Sequence, residues 1–278
     1  MIILVETGRV GNQLLQMLGV KEFFSNETIL FVGFDTLSSI LDADSNHFFI
    51  NPRIPLRWVR FFMNIASAFN LISTASEASE NSYYINHKEG LIRKIVYLKY
   101  MLFEKPYHLE GVHLNIKKVL IEEAKIWLSN NLDNDAYLKK NYAFLHVRRG
   151  DYLEFPSKES PAVLDQGWYL KAIGELKKQK PNIRFIVLSD DIEWCREAFE
   201  NENFIYSNNS VEIDFAIMTL CENGILSASS LSFCGAYISY SNNASKNDRV
   251  YLAPKYWIGH RKKEWYPKYF INDWIEYL

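Results

Sequence analysis

The sequence predicts an α/β chain built on parallel sheets, in two domains. Three observations carry this. Apolar, strand-like runs alternate with amphipathic helical stretches along most of the chain. The first run is followed by a glycine turn, a helix and a second run, which is a βαβ signal. The chain has 278 residues, 48% of them hydrophobic, enough for about two domains at roughly 150 residues each.

The elements follow in order. "IILVE" (residues 2–6) reads as a buried strand, Gly8 and Gly11 as a turn, and Leu14, Leu15, Leu18 and Phe23 as one side of a helix. "ILFVGF" (29–34) is the second strand. Residues 53–72 and 91–103 are aromatic and basic and read as helices, and 117–139 as a charged helix. The polar stretch "SNNLDNDAYLKKN" then separates a domain 1–140 from a domain 141–278. In the second domain "YAFLHV", "RFIVLS", "GILSAS" and "VYLAP" are strands. Between them "GWYLKAIGELKKQK", with Tyr169, Ile173 and Leu176 on one face, "DDIEWCREAF", "IDFAIMTLCEN" and "SLSFCGAYIS" are helices. Regular alternation of this kind means a parallel sheet covered on both faces.

Composition excludes several classes. A net charge of −2 argues against a general nucleic-acid binder, which wants a basic face. Cys195, Cys221 and Cys234 form no CxxC pair and no zinc spacing, so they read as buried reduced thiols. The N-terminus lacks a basic n-region before an apolar run, and no apolar run reaches the roughly 18–20 residues of a membrane span. A cytoplasmic protein is the expectation.

Ligands of parallel α/β sheets bind beyond the carboxyl ends of the strands, and four such places carry chemistry. "TGRVGNQ" offers Gly8 and Gly11 for close backbone approach, with Arg9, Asn12 and Gln13 as donors and acceptors for sugar or phosphate; a plain turn with a helix cap is the alternative. "FLHVRRGDY" places His146, Arg148, Arg149 and Asp151 where a strand stops. Arginine forks match phosphate oxygens, the alternative being a salt bridge such as Arg148 with Asp151. "VLSDDIEW" could bind metal through Asp190 and Asp191, but helix capping is favoured, because no further ligands are evident. "SASSLSFCGAY" puts Ser229 and Ser230 at a helix start that suits phosphate or simple capping, and Asp214 begins the helix before it.

Taken together, "GRVGNQ", "HVRRGDY", "LSDDIEWCRE", "ILSASSLSFCGAY" and the closing "VYLAPKYW" resemble the α-1,2-fucosyltransferase family in order and spacing. The resemblance implies a GT-B-like fold of two facing α/β domains that moves fucose from GDP-fucose to a galactoside hydroxyl with inversion and without a metal or other cofactor. On that reading Arg148 contacts the diphosphate and Arg149 supports it. His146 and Asp214 face the guanine, and Ser229 and Ser230 hold phosphate oxygens. Gly8, Arg9, Gly11, Asn12 and Gln13 come across the cleft from the N-terminal domain. A fixed guanidinium stabilises the charge that appears on departing GDP. Asp151 and Glu154 are the carboxylates nearest that point and the candidates for the base, Asp151 alternatively bracing the loop.

The chain departs from the family at Ala228-Ser229-Ser230 and Phe233-Cys234-Gly235, and at Val112, His113, Leu114 and Asn115 after "LEG". The acceptor is therefore the open part: a galactose-terminated oligosaccharide such as an O-antigen repeat, carried on lipid in one version. In "NPRIPLRWVRFFMNIASAFNLIS" Arg53, Arg57 and Arg60 alternate with Trp58, Phe61, Phe62 and Ile65. That is a core helix with a solvated face or, alternatively, a peripheral contact with anionic membrane. Two rival functions remain: transfer of another GDP-linked sugar, and a non-catalytic module that binds GDP-sugar or glycan.

Overall fold

The structure, a computed structural model, describes residues 1–24, 26–77, 85–98, 114–132, 141–200, 202–242, 248–257 and 272–278. It divides into two compact units, Met1–Lys117 and Lys118–Leu278.

In the first unit β1 (Ile2–Val5) leads into α1 (Val10–Phe23), β2 (Ile29–Val32), α2 (Asp35–Ile40), β3 (His47–Ile50), α3 (Leu56–Ala68), β4 (Ile72–Glu77), β5 (Ile85–Lys88) and β6 (Ile92–Leu98). The sheet order is β3-β2-β1-β6-β4-β5. Every pairing is parallel except β4 with β5. The alternation predicts β1, α1 and β2, and these form. Leu14, Leu15, Met17, Leu18 and Val20 of α1 are all buried. The helix expected over 91–103 is instead β6 as far as Leu98, and 99–103 lie outside the described residues. Its physical reason is a period of two: Ile95 and Tyr97 join a core with Val5, Val32 and Ile72, and Ile2 pairs with Val96 in register. The helix expected over 53–72 ends at Ala68. Asn70 turns the chain at φ 51, and Ile72 opens β4.

The second unit begins with α4 (Lys118–Asn131) and continues through β7 (Tyr142–Val147), α5 (Gln166–Gln179), β8 (Arg184–Ser189), α6 (Ile192–Ala198) and β9 (Ile205–Tyr206). It ends with α7 (Val211–Leu220), β10 (Asn223–Ile225), α8 (Ser230–Ser241), β11 (Tyr251–Ala253) and β12 (Glu276–Tyr277). The order is β12-β11-β10-β7-β8-β9, and all pairings are parallel. The expected domain start at 141 coincides with the entry into β7. The units themselves divide earlier, because α4 packs on α7 of the second unit. The four inner strands β7, β8, β10 and β11 are short apolar runs buried on both faces, as parallel sheets require. Ala143, Leu145 and Val147 pack with Tyr169, Ile173 and Leu176 of α5 and with Phe185 and Val187 of β8. The three cysteines are buried and form no disulfide.

In each sheet the first strand sits mid-sheet, and a later strand crosses to its other side. The order therefore reverses between β1 and β6, and between β7 and β10. Crevices for ligands open at such switch points, beyond the carboxyl ends.

Candidate active site

The chain leaves β7 through Arg148 and Arg149 into a single 3-10 turn, Gly150–Leu153. The turn is pinned from the end of β8. Asp190 accepts from the Arg149 backbone N–H at 2.8 Å, and its other oxygen pairs with Arg148 Nη1 at 2.7 Å. Arg148 Nη2 also pairs with Asp151. Gly150 lies where a Cβ would run into the Asp190 carboxylate, and its φ of +22° is in the left-handed region, so glycine lets the two segments close on each other. Arg149 turns away: its Nε pairs with Asp191 at 2.9 Å and its guanidinium lies 4.0 Å from the Trp194 ring centroid. Asp191 also caps α6, accepting from Trp194 N–H at 3.3 Å.

Arg148 is thus held between Asp151 and Asp190, and Arg149 between Asp191 and the Trp194 ring. Both carboxylates that a metal reading would enlist are committed to the arginines. The guanidinium of Arg148 carries five donors, and the two carboxylates engage it through one nitrogen each. Glu154 is exposed and pairs with Lys158 at 2.9 Å.

His146 and Ser227 join β7 to the segment after β10, across the switch point. The His146 Nδ1 to Ser227 Oγ hydrogen bond is 2.7 Å, and His146 is buried. Burial, with the Arg148 charge beside it, pushes the imidazole down to about 3, so it stays neutral at physiological pH. Ser229 caps α8, its hydroxyl accepting from Leu231 N–H at 3.3 Å, and Ser230 is the first helical residue. That helix start lies at the sheet's carboxyl edge, where the helix dipole favours an anion.

Asp214 is buried in the first turn of α7, and Ser207, just after β9, donates to its Oδ1 at 2.6 Å. Burial pushes its carboxyl up to about 7, with the Ser207 hydrogen bond opposing. The carboxyl edge of the second sheet therefore gathers a fixed cation and Asp151 after β7, the second carboxylate Asp190 after β8, a buried acid beside β9 and a helix N-terminus after β10.

In the first unit Gly8 follows β1 at φ +73°, where a Cβ would press on Asn12. Gln13 folds back on this turn, donating to Glu6 Oε1 at 2.8 Å and to the Gly8 carbonyl at 3.1 Å. Its own Oε1 is buried without a hydrogen-bond partner. Gln16 donates to the Thr7 carbonyl at 3.3 Å, and Arg60 of α3 donates to the Glu6 carbonyl. Burial raises the Glu6 carboxyl. The Gln13 hydrogen bond and Arg60 oppose that, and Asp35 adds to it. Gly11 and Asn12 lie in the first turn of α1 and Arg9 at its N-cap.

Sequence reasoning brought together His146, Arg148, Arg149 and Asp151. It passed over Ser207, Ser227 and Glu6, and it assigned Asp190 to capping. The legible sign was position, since Glu6, Asp190, Ser207 and Ser227 each stand at or within two residues of a strand end. Residues 109–113 of the divergent segment lie outside the described residues. Among the described residues no group of three His, Cys, Asp or Glu side chains could hold a metal ion.

The sequence model of glycosyl transferase family 11 matches residues 84–277. The O-antigen biosynthesis glycosyltransferase WbnK of Escherichia coli is 31% identical over 158 residues, 52% of this chain and 50% of that protein. An alpha-1,2-colitosyltransferase of Escherichia coli is 27% identical over 190 residues, 64% of this chain and 63% of its own. Galactoside alpha-(1,2)-fucosyltransferase 1 of Rattus norvegicus is 31% identical over 121 residues, 41% and 31%. The chain thus spans from about a third to under two thirds of the length of these relatives. Among solved structures, POFUT1 in complex with GDP-fucose aligns with a TM-score of 0.57 at 14% identity, covering 91% of this chain and 96% of that one. Fucosyltransferase NodZ from Bradyrhizobium aligns at 0.50 and 10%, covering 88% and 96%. At such identities the likeness is one of fold, and it agrees with the two parallel-sheet α/β units expected of a GT-B-like chain. The match over residues 84–277 takes in the whole arginine-bearing sheet, and the chain belongs to glycosyl transferase family 11.

Proposed function

We propose that the protein transfers L-fucose from GDP-fucose to the 2-hydroxyl of a galactose-terminated oligosaccharide, with inversion and without a metal. The observation that carries this reading is the clamp on Arg148 at the β7/β10 switch point. A guanidinium held by Asp190 and Asp151 is already in place when charge develops and needs no reorganisation during the reaction.

The acceptor oxygen attacks C1 of fucose from the face opposite GDP. The bond from C1 to the β-phosphate oxygen breaks, and its electron pair leaves with GDP. Arg148 meets that charge, and Ser229 and Ser230 at the start of α8 hold phosphate oxygens. Asp214 accepts the guanine ring N–H and exocyclic amine, with His146 and Ser227 closing that wall. The acceptor proton passes to a carboxylate; Asp151 and Glu154 are the candidates on the arginine turn, and of these Asp151 also braces Arg148. Gly8, Arg9, Gly11, Asn12 and Gln13 serve the acceptor side from the first unit. In the cell the protein acts on a lipid-linked oligosaccharide at the inner face of the cytoplasmic membrane, in contact with its surface.

One observation favours a second reading. The relative covered over the larger share of this chain is an alpha-1,2-colitosyltransferase, and colitose is fucose lacking one hydroxyl. The donor would then be the GDP derivative of that sugar. The test is GDP release from GDP-fucose in EDTA, with lactose or N-acetyllactosamine as acceptor. Acceptor-dependent release with a new α-1,2 linkage supports the first reading. Release from GDP-colitose in preference to GDP-fucose supports the second. GDP binding without turnover of either donor on any galactoside tried leaves a binding module and sinks both.

A further inference from the structure

We propose that the outer face of α3 docks on an anionic lipid bilayer. This deepens the membrane placement proposed above and rests on that reading for its purpose; the observations behind it come from the N-terminal unit alone.

Helix α3 carries two apolar stripes. The inner one, Leu56, Val59, Met63 and Ala66, packs on Val5, Val32, Ile72 and Tyr97 of the sheet. The outer one repeats at the same helical spacing on the opposite side. There Trp58 is 47% exposed, Phe61 50%, Phe62 57% and Ile65 38%. Ile54 before the helix and Phe69 after it extend the stripe, at 49% and 74%. The rings pack on each other, Trp58 on Phe61 at 5.8 Å and Phe61 on Phe62 at 5.7 Å between centroids. Contiguous exposed apolar surface marks an interaction site.

Charge selects the partner. Residues 45–76 hold Arg53, Arg57 and Arg60 and no Asp or Glu. Arg60 turns inward onto the Glu6 carbonyl, which corrects its expected place beside the other two. Arg53 and Arg57 stay exposed at the flank of the aromatic stripe. Aromatic side chains flanked by arginines, with no carboxylate among them, match acyl chains beneath anionic headgroups. A second copy meeting this face about a two-fold axis would oppose arginines with no acid in the stretch to pair them. No helix among the described residues is long and apolar enough to cross a membrane, so the contact is one with the surface.

The test is co-sedimentation with phosphatidylcholine vesicles, with and without phosphatidylglycerol. The full-length protein should bind the anionic vesicles and release with salt. Substituting Phe61→Ser with Phe62→Ser should lower the partition coefficient at least about tenfold, the loss of two buried aromatic anchors. Substituting Arg53→Glu with Arg57→Glu should erase the preference for anionic vesicles. A circular dichroism spectrum and thermal transition matching the native protein's should show that both variants are folded in the first unit, and GDP binding in the second should be unchanged. Native protein that binds GDP but neither vesicle overturns the proposal. So does concentration-dependent dimerisation that the Phe61/Phe62 variant abolishes while vesicle binding persists. Vesicle binding without GDP binding would instead sink the function proposed above and leave this inference standing.

Discussion

The two sheets share a plan and differ in what they place at the switch point. Each carries its first strand in mid-sheet and reverses direction beside it. After β1 the chain presents a turn braced by amides, Gln13 on Glu6 and Gly8 and Gln16 on Thr7. After β7 it presents two arginines, each held by a carboxylate from the end of β8. A crevice walled by amides and one half-buried carboxylate suits hydroxyl-rich ligands, whereas a fixed guanidinium suits a diphosphate. Topology supplies the crevice, and one or two charged residues decide which substrate it takes.

The largest effect that can break this comparison is at Arg148. Arg148→Ala should lower kcat for transfer by about 10²–10³-fold, the usual loss for a preorganised donor at developing charge. Arg148→Lys should recover little of it, because a lysine cannot form the fork. Near-native turnover in the alanine variant would make the cluster merely structural. The next effect is smaller and concerns positioning. Asp190→Asn should cost about tenfold to a hundredfold in kcat by loosening the guanidinium, with KM for the acceptor little changed. An equal fall for an Asp191→Asn protein would show that Arg149 needs its restraint as much as Arg148 does.

The buried acid gives a pH signature. Asp214 is held largely protonated below about 7, and the guanine contact proposed for it would need it ionised. GDP affinity should therefore rise about tenfold per pH unit up to about pH 7 and then level off. Titration calorimetry at pH 5.5 to 8.5 reads this, and Asp214→Asn should flatten the profile. An unchanged slope in that variant would remove Asp214 from the guanine site.

The smallest effect tests the first unit. Burial raises the Asp44 carboxyl, but Lys21, His47 and the Asn46 N–H outweigh it and hold the group down at about 2. A depressed carboxylate contributes stability above its unfolded value that is lost as pH falls through the folded one. Asp44→Asn should thus cost about 1–2 kcal/mol at pH 7, after discounting for partial exposure. The gap from native protein should close between pH 4 and pH 2 in urea titrations. A gap that stays constant with pH would assign the loss to packing.

The same contrast explains what the sequence could reveal. "YAFLHV" and "RFIVLS" are continuous apolar runs, buried on both faces, and were legible as strands. "ISTASE", "INHK" and "IRKIVYL" carry polar and charged residues because β4 and β5 form the edge side of the first sheet and β6 is exposed along its first half. Their strand character comes from pairing with one another and, for β6, with β1 far back in the chain, so β3 to β6 went unread and one was expected to be helical. At the site, the arginines were legible from their place at a strand end. The division of roles between them came from the family resemblance alone, and their partners Asp190, Asp191 and Trp194, about forty residues on, were not legible as such. The second apolar stripe of α3 was visible as a pattern, but only its exposure separated it from a core.

The most direct measurement is GDP titrated calorimetrically into the native protein and into the Arg148→Ala, Asp214→Asn and Glu154→Gln variants at pH 7.5 in EDTA. The account predicts binding to the native and Glu154→Gln proteins, and at least about hundredfold weaker binding to the Arg148→Ala protein, a loss of some 3 kcal/mol. It predicts an intermediate loss for Asp214→Asn. Equal GDP affinity in the native and Arg148→Ala proteins, or no GDP binding by the native chain, would contradict it.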